Sequence, residues 1–187
     1  SFAEYVVVPA SGAVVIPDEM PLDRAALISC AVLTGYGAVM NTAKVKPGST
    51  VAIFGCGGVG LNIVQGARMA GATTIIAVDV TQEKLDLAKK VGATHVINGA
   101  TSDPVAMVKE ICGGVDYAFE ALGRESTIQQ AWGTVGVDGT LILVGLMKNG
   151  ATITLDAGPF VNEQSIKGCY FGSANLRKDV PALVKSY

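Results

Sequence analysis

Four residues carry the clearest chemistry in this sequence, three glycines and an aspartate. Val51-Ala-Ile-Phe-Gly55-Cys-Gly57-Gly58-Val59-Gly60-Leu61 sets a G-x-G-x-x-G pattern directly after an apolar run and at the opening of a helical one. In that setting Gly55 permits a tight turn, Gly57 lets backbone approach a pyrophosphate, and Gly60 lets the helix pack closely on a sheet. The helix N-terminus, opened by Gly58, supplies N–H groups and partial positive charge. The next apolar run ends in Asp79, nineteen residues beyond Gly60, where a carboxylate can accept both hydroxyls of an adenosine ribose. Together these positions imply a dinucleotide. Asp79 also argues for NAD over NADP, because a 2'-phosphate would face a like charge at a cost of up to about 4 kcal/mol per charge pair at intermediate dielectric. Val80 stands where an arginine would hold such a phosphate. Lys84, one helical turn on, can reach the ribose edge, although a solvated helix charge accounts for it nearly as well.

Further along, two apolar runs end in small residues suited to close approach by the same ligand. Glu120-Ala121-Leu122-Gly123-Arg124 follows one, and Val144-Gly145-Leu146 the other. Arg124 suits adenine or a phosphate, and a surface ion pair suits it equally. Phe119 and Trp132 fall at packing positions. The single histidine, His95, sits at the start of a short strand rather than where a base would act. Cys30, Cys56, Cys112 and Cys169 form no C-x-x-C pair, so neither a disulfide framework nor a self-contained zinc knuckle is indicated, and a reducing cytoplasm fits best. Read alone, Cys30 is a small core residue in an apolar helical stretch.

The elements that must hold these residues follow from composition and periodicity. A length of 187 residues suits one domain plus a remnant. With 16% charged and 50% hydrophobic residues and a mean hydropathy of +0.44, much of the surface expects to be covered. A net charge of -2 with no basic run excludes nucleic-acid binding. Two uncharged stretches, 25–43 and 49–67, are long enough to span a bilayer, but their Ser, Thr, Gly and Asn content and weak flanks point to buried soluble segments. No secretory leader is expected from the first residues.

From residue 50, short Val- and Ile-rich runs alternate with helical patterns. The fold class is therefore α/β, a doubly wound six-stranded parallel sheet of the Rossmann type. Strands are expected over 50–54, 74–78, 94–97, 116–120, 140–144 and 166–170, and helices over 58–70, 82–91, 104–111, 126–132 and 177–187. Thr81 and Asp103 are the expected N-caps, Gly71 and Gly92 the expected stops. Earlier, 5–8 and 14–16 read as strands, and 23–27 and 34–43 as helices broken near Cys30. Residues 1–45 thus form a segment apart from the cofactor domain, 46–187, which the Lys46-Pro47-Gly48 turn introduces.

Cys30-Ala-Val-Leu-Thr34-Gly35-Tyr36-Gly37-Ala38, Val45-Lys-Pro-Gly-Ser49, the glycine turn, Ala77-Val-Asp79, Val91-Gly-Ala-Thr94, Gly114-Val-Asp-Tyr117, Phe119-Glu-Ala-Leu-Gly123-Arg124 and Ile166-Lys-Gly168, in that order, resemble the zinc-dependent medium-chain alcohol dehydrogenases. The resemblance covers essentially the whole chain. It implies that Cys30 is one of three protein ligands of a catalytic zinc, that Thr34 packs against nicotinamide, and that Val59 lies near the pyrophosphate. It implies that Ala121, Leu122, Val144 and Leu146 border the cofactor, that Cys169 and Phe171 offer backbone to its carboxamide, and that Asp79 and Lys84 hold the ribose. Cys56 has no ligand counterpart.

The other two zinc ligands would come from a preceding catalytic domain, of which the short N-terminal strands are a remainder. The chain alone is then expected to be inactive, its alcohol or aldehyde substrate bound elsewhere. The resemblance also implies a homo-oligomer through edge strand 166–170. A module binding NAD without catalysis fits the fold alone. Polyol, threonine or formaldehyde oxidation and zinc-free quinone reduction stay open, the last disfavoured by Cys30.

Overall fold

From Thr50 onward the apolar runs become strands because each can bury both faces. The computed structural model describes residues 3–186. Its strands are β1 (Thr50–Phe54), β2 (Thr74–Asp79), β3 (His95–Asn98), β4 (Val115–Glu120), β5 (Val135–Leu143) and β6 (Ser165–Gly168). They form one sheet in the order β3-β2-β1-β4-β5-β6, every neighbouring pair parallel. The order reverses between β1 and β4, which opens a crevice at the carboxyl ends of those strands.

Strand alternation sorts the core into two layers. Val51 and Ile53 point into one, with Ile63, Val64, Ala67 and Leu85; Ala52 and Phe54 point into the other, with Val108, Ile128 and Trp132. The first layer is covered by α1 (Leu22–Ala43), α2 (Gly58–Met69) and α3 (Gln82–Val91), the second by α4 (Pro104–Cys112) and α5 (Glu125–Thr134). A small third cluster, Met20, Ile28, Leu33 and Val180, joins α1 to α6 (Leu176–Lys185). Trp132 also donates its indole N–H to the Asp156 carbonyl at 2.9 Å, so both aromatics assigned to packing do pack.

Several sequence expectations are corrected. Residues 5–8 and 14–16 form no strand: Tyr5 and Val7 project into solvent with no neighbouring strand to complete a ladder. The break near Cys30 is absent. Instead α1 runs continuously, and Ile28–Val32 and Ala38–Ala43 are wound as π turns. β5 starts at Val135, five residues early, carried through an irregular register between Val115 and Tyr117 and a left-handed Asp138. β6 ends at Gly168 rather than residue 170; the Cys169 N–H still reaches the Leu143 carbonyl, and from Phe171 the positive φ of three successive residues turns the chain away from the sheet.

Thr81 occupies the N-cap of α3, but its hydroxyl caps nothing. Asp103 does cap α4, accepting the Val105 N–H at 2.9 Å. Of the two membrane-length stretches, 49–67 divides into β1, a turn and α2. α1 is long and apolar enough to cross a bilayer, yet its glycine face lies against protein. A Cβ on Gly35 would sit 2.5 Å from the Val59 carbonyl, and one on Gly37 2.3 Å from that of Gly172.

Candidate cofactor site

The turn after β1 is built so that only glycine works at two of its positions. Gly55 has φ of 97° and donates its N–H to the Val78 carbonyl at 2.8 Å. A Cβ on Gly60 would meet the Gly55 carbonyl at 1.7 Å, so glycine there lets α2 start directly beneath the turn. Gly57 differs. A Cβ there meets nothing within 4 Å, so its outer face is open to a ligand. Gly58, beside it, begins α2 with its free N–H groups.

Asp79, 8% exposed, fastens the end of β2 to this turn. Its Oδ2 accepts the Cys56 N–H at 2.8 Å, and its Oδ1 accepts those of Val80 at 2.8 Å and Thr81 at 3.0 Å. A carboxylate has about four lone-pair sites, so about one remains for ribose. Lys84 Nζ stands 3.9 Å from Oδ1, which adds a donor at the same edge. Cys56 is fully buried beside Asp79, its thiol on the Val78 carbonyl. Burial, and then the Asp79 charge, push its thiol up from 9.0 to about 12, with Lys84 pulling slightly the other way. It is a neutral packing thiol with neither nucleophilic nor metal-binding character.

The turns after β4 and β5 close on the same edge. Leu122 lies over the first glycine, its Cγ 2.7 Å from where a Gly55 Cβ would be. Gly123 and Gly145 interlock: a Cβ on Gly145 would fall 2.1 Å from the Gly123 nitrogen. Glu120 organises both turns, and sequence reading assigned it no role. Completely buried, it accepts the Leu122 N–H at 3.0 Å, the Gly123 N–H on both oxygens at 3.0 Å and the Thr127 hydroxyl at 2.7 Å. Its carbonyl takes the Val144 and Gly145 N–H groups. A charged residue ending an apolar strand was the available signal, since it is buried only where donors converge.

Gly55, Gly57, Gly58, Val59, Gly60, Asp79, Ala121, Leu122, Val144 and Leu146 therefore gather at the strand ends. Cys169 continues the edge, its N–H bonded to the Leu143 carbonyl at 2.9 Å, and Phe171 follows with φ of 53°. Half-buried Thr34 reaches the same place from α1, its carbonyl 3.0 Å from where a Gly172 Cβ would stand. Arg124 is exposed at the start of α5 and makes no ion pair among the described residues.

Cys30 is an exposed free cysteine on α1. No group of three His, Cys, Asp or Glu side chains able to hold a metal occurs among the described residues. The described residues alone thus do not fit a zinc ion, whereas the open face of Gly57 and the Asp79 edge do fit a dinucleotide.

A family profile described as "Zinc-binding dehydrogenase" matches residues 58–186. "Alcohol dehydrogenase-like 1" of Arabidopsis thaliana is 41% identical over 192 aligned positions, covering 100% of this chain and 50% of that protein. Among solved structures, benzyl alcohol dehydrogenase from Acinetobacter calcoaceticus superposes with a TM-score of 0.89 at 38% identity, over 92% of this chain and 48% of that one. A more distant neighbour is a zinc-binding dehydrogenase from Sinorhizobium meliloti bound to NADP. It gives a TM-score of 0.75 at 29% identity, over 84% of this chain and 47% of that one. The chain spans about half the length of the curated relatives it matches.

Proposed function

The chain belongs to the zinc-binding dehydrogenase family, and from that premise we propose that it is the NAD-binding half of an alcohol dehydrogenase. The observation that carries the reading is Asp79, locked against the open glycine turn at the end of β2. The Sinorhizobium meliloti neighbour is bound to NADP, so the fold does not choose between the two dinucleotides. Asp79 chooses for this chain, since a 2'-phosphate would meet its buried charge while a ribose hydroxyl donates to it.

When bound, a nicotinamide dinucleotide would supply the hydride acceptor for oxidation of an alcohol and, reduced, the hydride donor for the reverse reaction. The residues of this chain bind and orient. The first turn of α2 and the open backbone at Gly57 hold the pyrophosphate. Asp79 and Lys84 hold the adenosine ribose. Ala121, Leu122, Val144 and Leu146 wall the crevice, while Thr34 and the backbone of Cys169 and Phe171 meet the nicotinamide. Arg124 stands free to cover a phosphate or the adenine. Cys30 is the candidate zinc ligand among the described residues. The remaining ligands and the alcohol pocket lie, in this reading, in the half of the relatives that this chain does not span.

The same reading puts the protein in a reducing cytoplasm, which its free cysteines suit, and makes it a homo-oligomer through the unpaired edge of β6.

Titration of the purified chain with NADH and NADPH, with alcohol-dependent NAD reduction and zinc content measured on the same sample, tests the proposal. Selective NADH binding without turnover or stoichiometric zinc is expected. Equal affinity for the two nucleotides refutes the role given to Asp79, and turnover refutes the placement of the missing ligands.

A further inference from the structure

Phe171, Gly172 and Ser173 have φ of 53°, 69° and 48°, three left-handed residues in succession of which only the middle one is glycine. Such a turn is unfavourable for a bulky side chain and persists only where its surroundings impose it. The surroundings come from two helices. Asn41, in the last turn of α1, donates from Nδ2 to the Gly172 carbonyl at 3.3 Å and to Asp179 Oδ2 at 3.1 Å. Asp179, buried in the first turn of α6, also accepts the Asn175 N–H on Oδ2 at 2.9 Å, so it fastens the chain leaving the turn. Thr42, 2% exposed, shares a hydrogen bond with Ser173 Oγ at 2.8 Å and donates to Cys169 Sγ at 3.3 Å. Lys167 Nζ completes the brace by donating to the Thr42 carbonyl at 2.9 Å.

The turn and loop hydrogen bonds among the described residues use the Cys169 N–H and the Tyr170 carbonyl, but neither the Cys169 carbonyl nor the Phe171 N–H. One acceptor and one donor are thus left at the end of the brace, complementary to a primary carboxamide.

We propose that Asn41, Thr42 and Asp179 are positioning residues for the nicotinamide end of the cofactor, holding the 171–173 turn so that the Cys169 carbonyl and the Phe171 N–H present themselves together. The proposal rests on the reading that this backbone meets the carboxamide. None of the three side chains touches the reacting atoms. Their effect is confined to one half of the ligand, because the adenosine half is held at β1 and β2.

That confinement gives the test. NADH and ADP-ribose, which lacks the nicotinamide, are titrated into the wild-type chain and its Thr42→Val, Thr42→Ser and Asn41→Leu variants, with the NADH emission spectrum recorded when bound. The expected result is that Thr42→Val and Asn41→Leu lose about tenfold in NADH affinity while ADP-ribose stays within about twofold. The emission of bound NADH shifts toward that of free NADH in both, and Thr42→Ser restores affinity and spectrum. If Asn41→Leu does not fold, with Asp179 deprived of its Asn41 donor, the Thr42 pair decides alone. Variants that keep the wild-type preference for NADH, or that lose both ligands in parallel, overturn the proposal and leave the carboxamide reading intact. A wild-type chain that binds NADH no tighter than ADP-ribose overturns that reading and the proposal with it.

Discussion

Asp79 Oδ2 accepts the backbone N–H of Cys56 at 2.8 Å, so one carboxylate joins the ends of two neighbouring strands and sets the height of the glycine turn between them. Asp79 therefore has a structural role beside the ligand role proposed for it, and substitution separates the two. Asp79→Asn keeps one acceptor oxygen and leaves about one buried N–H poorly paired, a loss of about 1–3 kcal/mol in unfolding free energy. The NADH-to-NADPH affinity ratio falls toward one in the same variant, because the repulsive charge is gone. Urea unfolding and paired nucleotide titrations read the two effects. A variant that is destabilised but keeps its selectivity shows that another contact chooses the nucleotide.

Gly57 and Gly60 carry the same motif for opposite reasons. Gly57 has φ of -78° and ψ of -167°, open to any residue, and space around its absent Cβ. Gly57→Ala should hold stability within about 0.5 kcal/mol yet weaken NADH by at least about tenfold, the methyl occupying the pyrophosphate approach. Gly60→Ala, with its Cβ driven into the Gly55 carbonyl, should lower stability by several kcal/mol, of the order seen for severe overpacking. Equal behaviour of the two variants in thermal unfolding contradicts this division.

The six-stranded parallel sheet and the glycine turn were legible in the sequence because a buried parallel strand reads as an unbroken apolar run and the turn has fixed spacing. β1 and α3 fall where the pattern puts them, as does the Asp103 cap. What was not legible depends on partners distant along the chain. Asn41 and Asp179, 138 positions apart, look like ordinary polar helix residues until α1 and α6 are docked. Glu120 reads as a strand end until the turn and the first residues of α5 come together to give it three donors. The strands expected at 5–8 and 14–16 have the right residues but no neighbouring strand, and β-propensity without a pairing partner fixes nothing.

Val7, Val15, Leu146 and Tyr170 are each at least 90% exposed, and apolar side chains this open favour association wherever they join into one patch. Light scattering on eluted chain at rising concentration should show mass increasing beyond one copy. A constant monomer mass contradicts both the expected self-association and the proposed pairing at β6.

Cys56 gives stability a specific alkaline dependence. Its folded pKa of about 12 lies above the ordinary 9.0, so between these values the unfolded chain releases a proton that the folded chain keeps. This contribution is complete below pH 9 and is lost as pH rises toward 12. It amounts to about 1.4 kcal/mol between pH 8 and pH 10. The stability gap between the wild type and Cys56→Ala should narrow by that amount over the interval. Iodoacetamide on the native chain near pH 8 should alkylate exposed Cys30 and spare Cys56. Modification of Cys56 at a comparable rate contradicts its enclosure.

Glu120 supplies the sharpest separation of positioning from binding. Glu120→Gln preserves shape but puts an NH2 group where Oε2 accepted the Gly123 N–H, so that Oε1 can keep its partners while the new buried amide donor faces another donor and has no acceptor. A buried unsatisfied donor costs about 1–3 kcal/mol, and the turn it supports carries Leu122, which leans on Gly55, and Gly123, which interlocks with Gly145. The loosened turn should weaken NADH more than ADP-ribose, because the 121–123 and 144–146 turns line the crevice beyond the edge proposed to hold the adenosine. Glu120→Asp, which keeps the charge but shortens the reach by one methylene, should fall between the wild type and Glu120→Gln in unfolding free energy. If both variants bind the two ligands as the wild type does, Glu120 supports the sheet and has no hold on the cofactor.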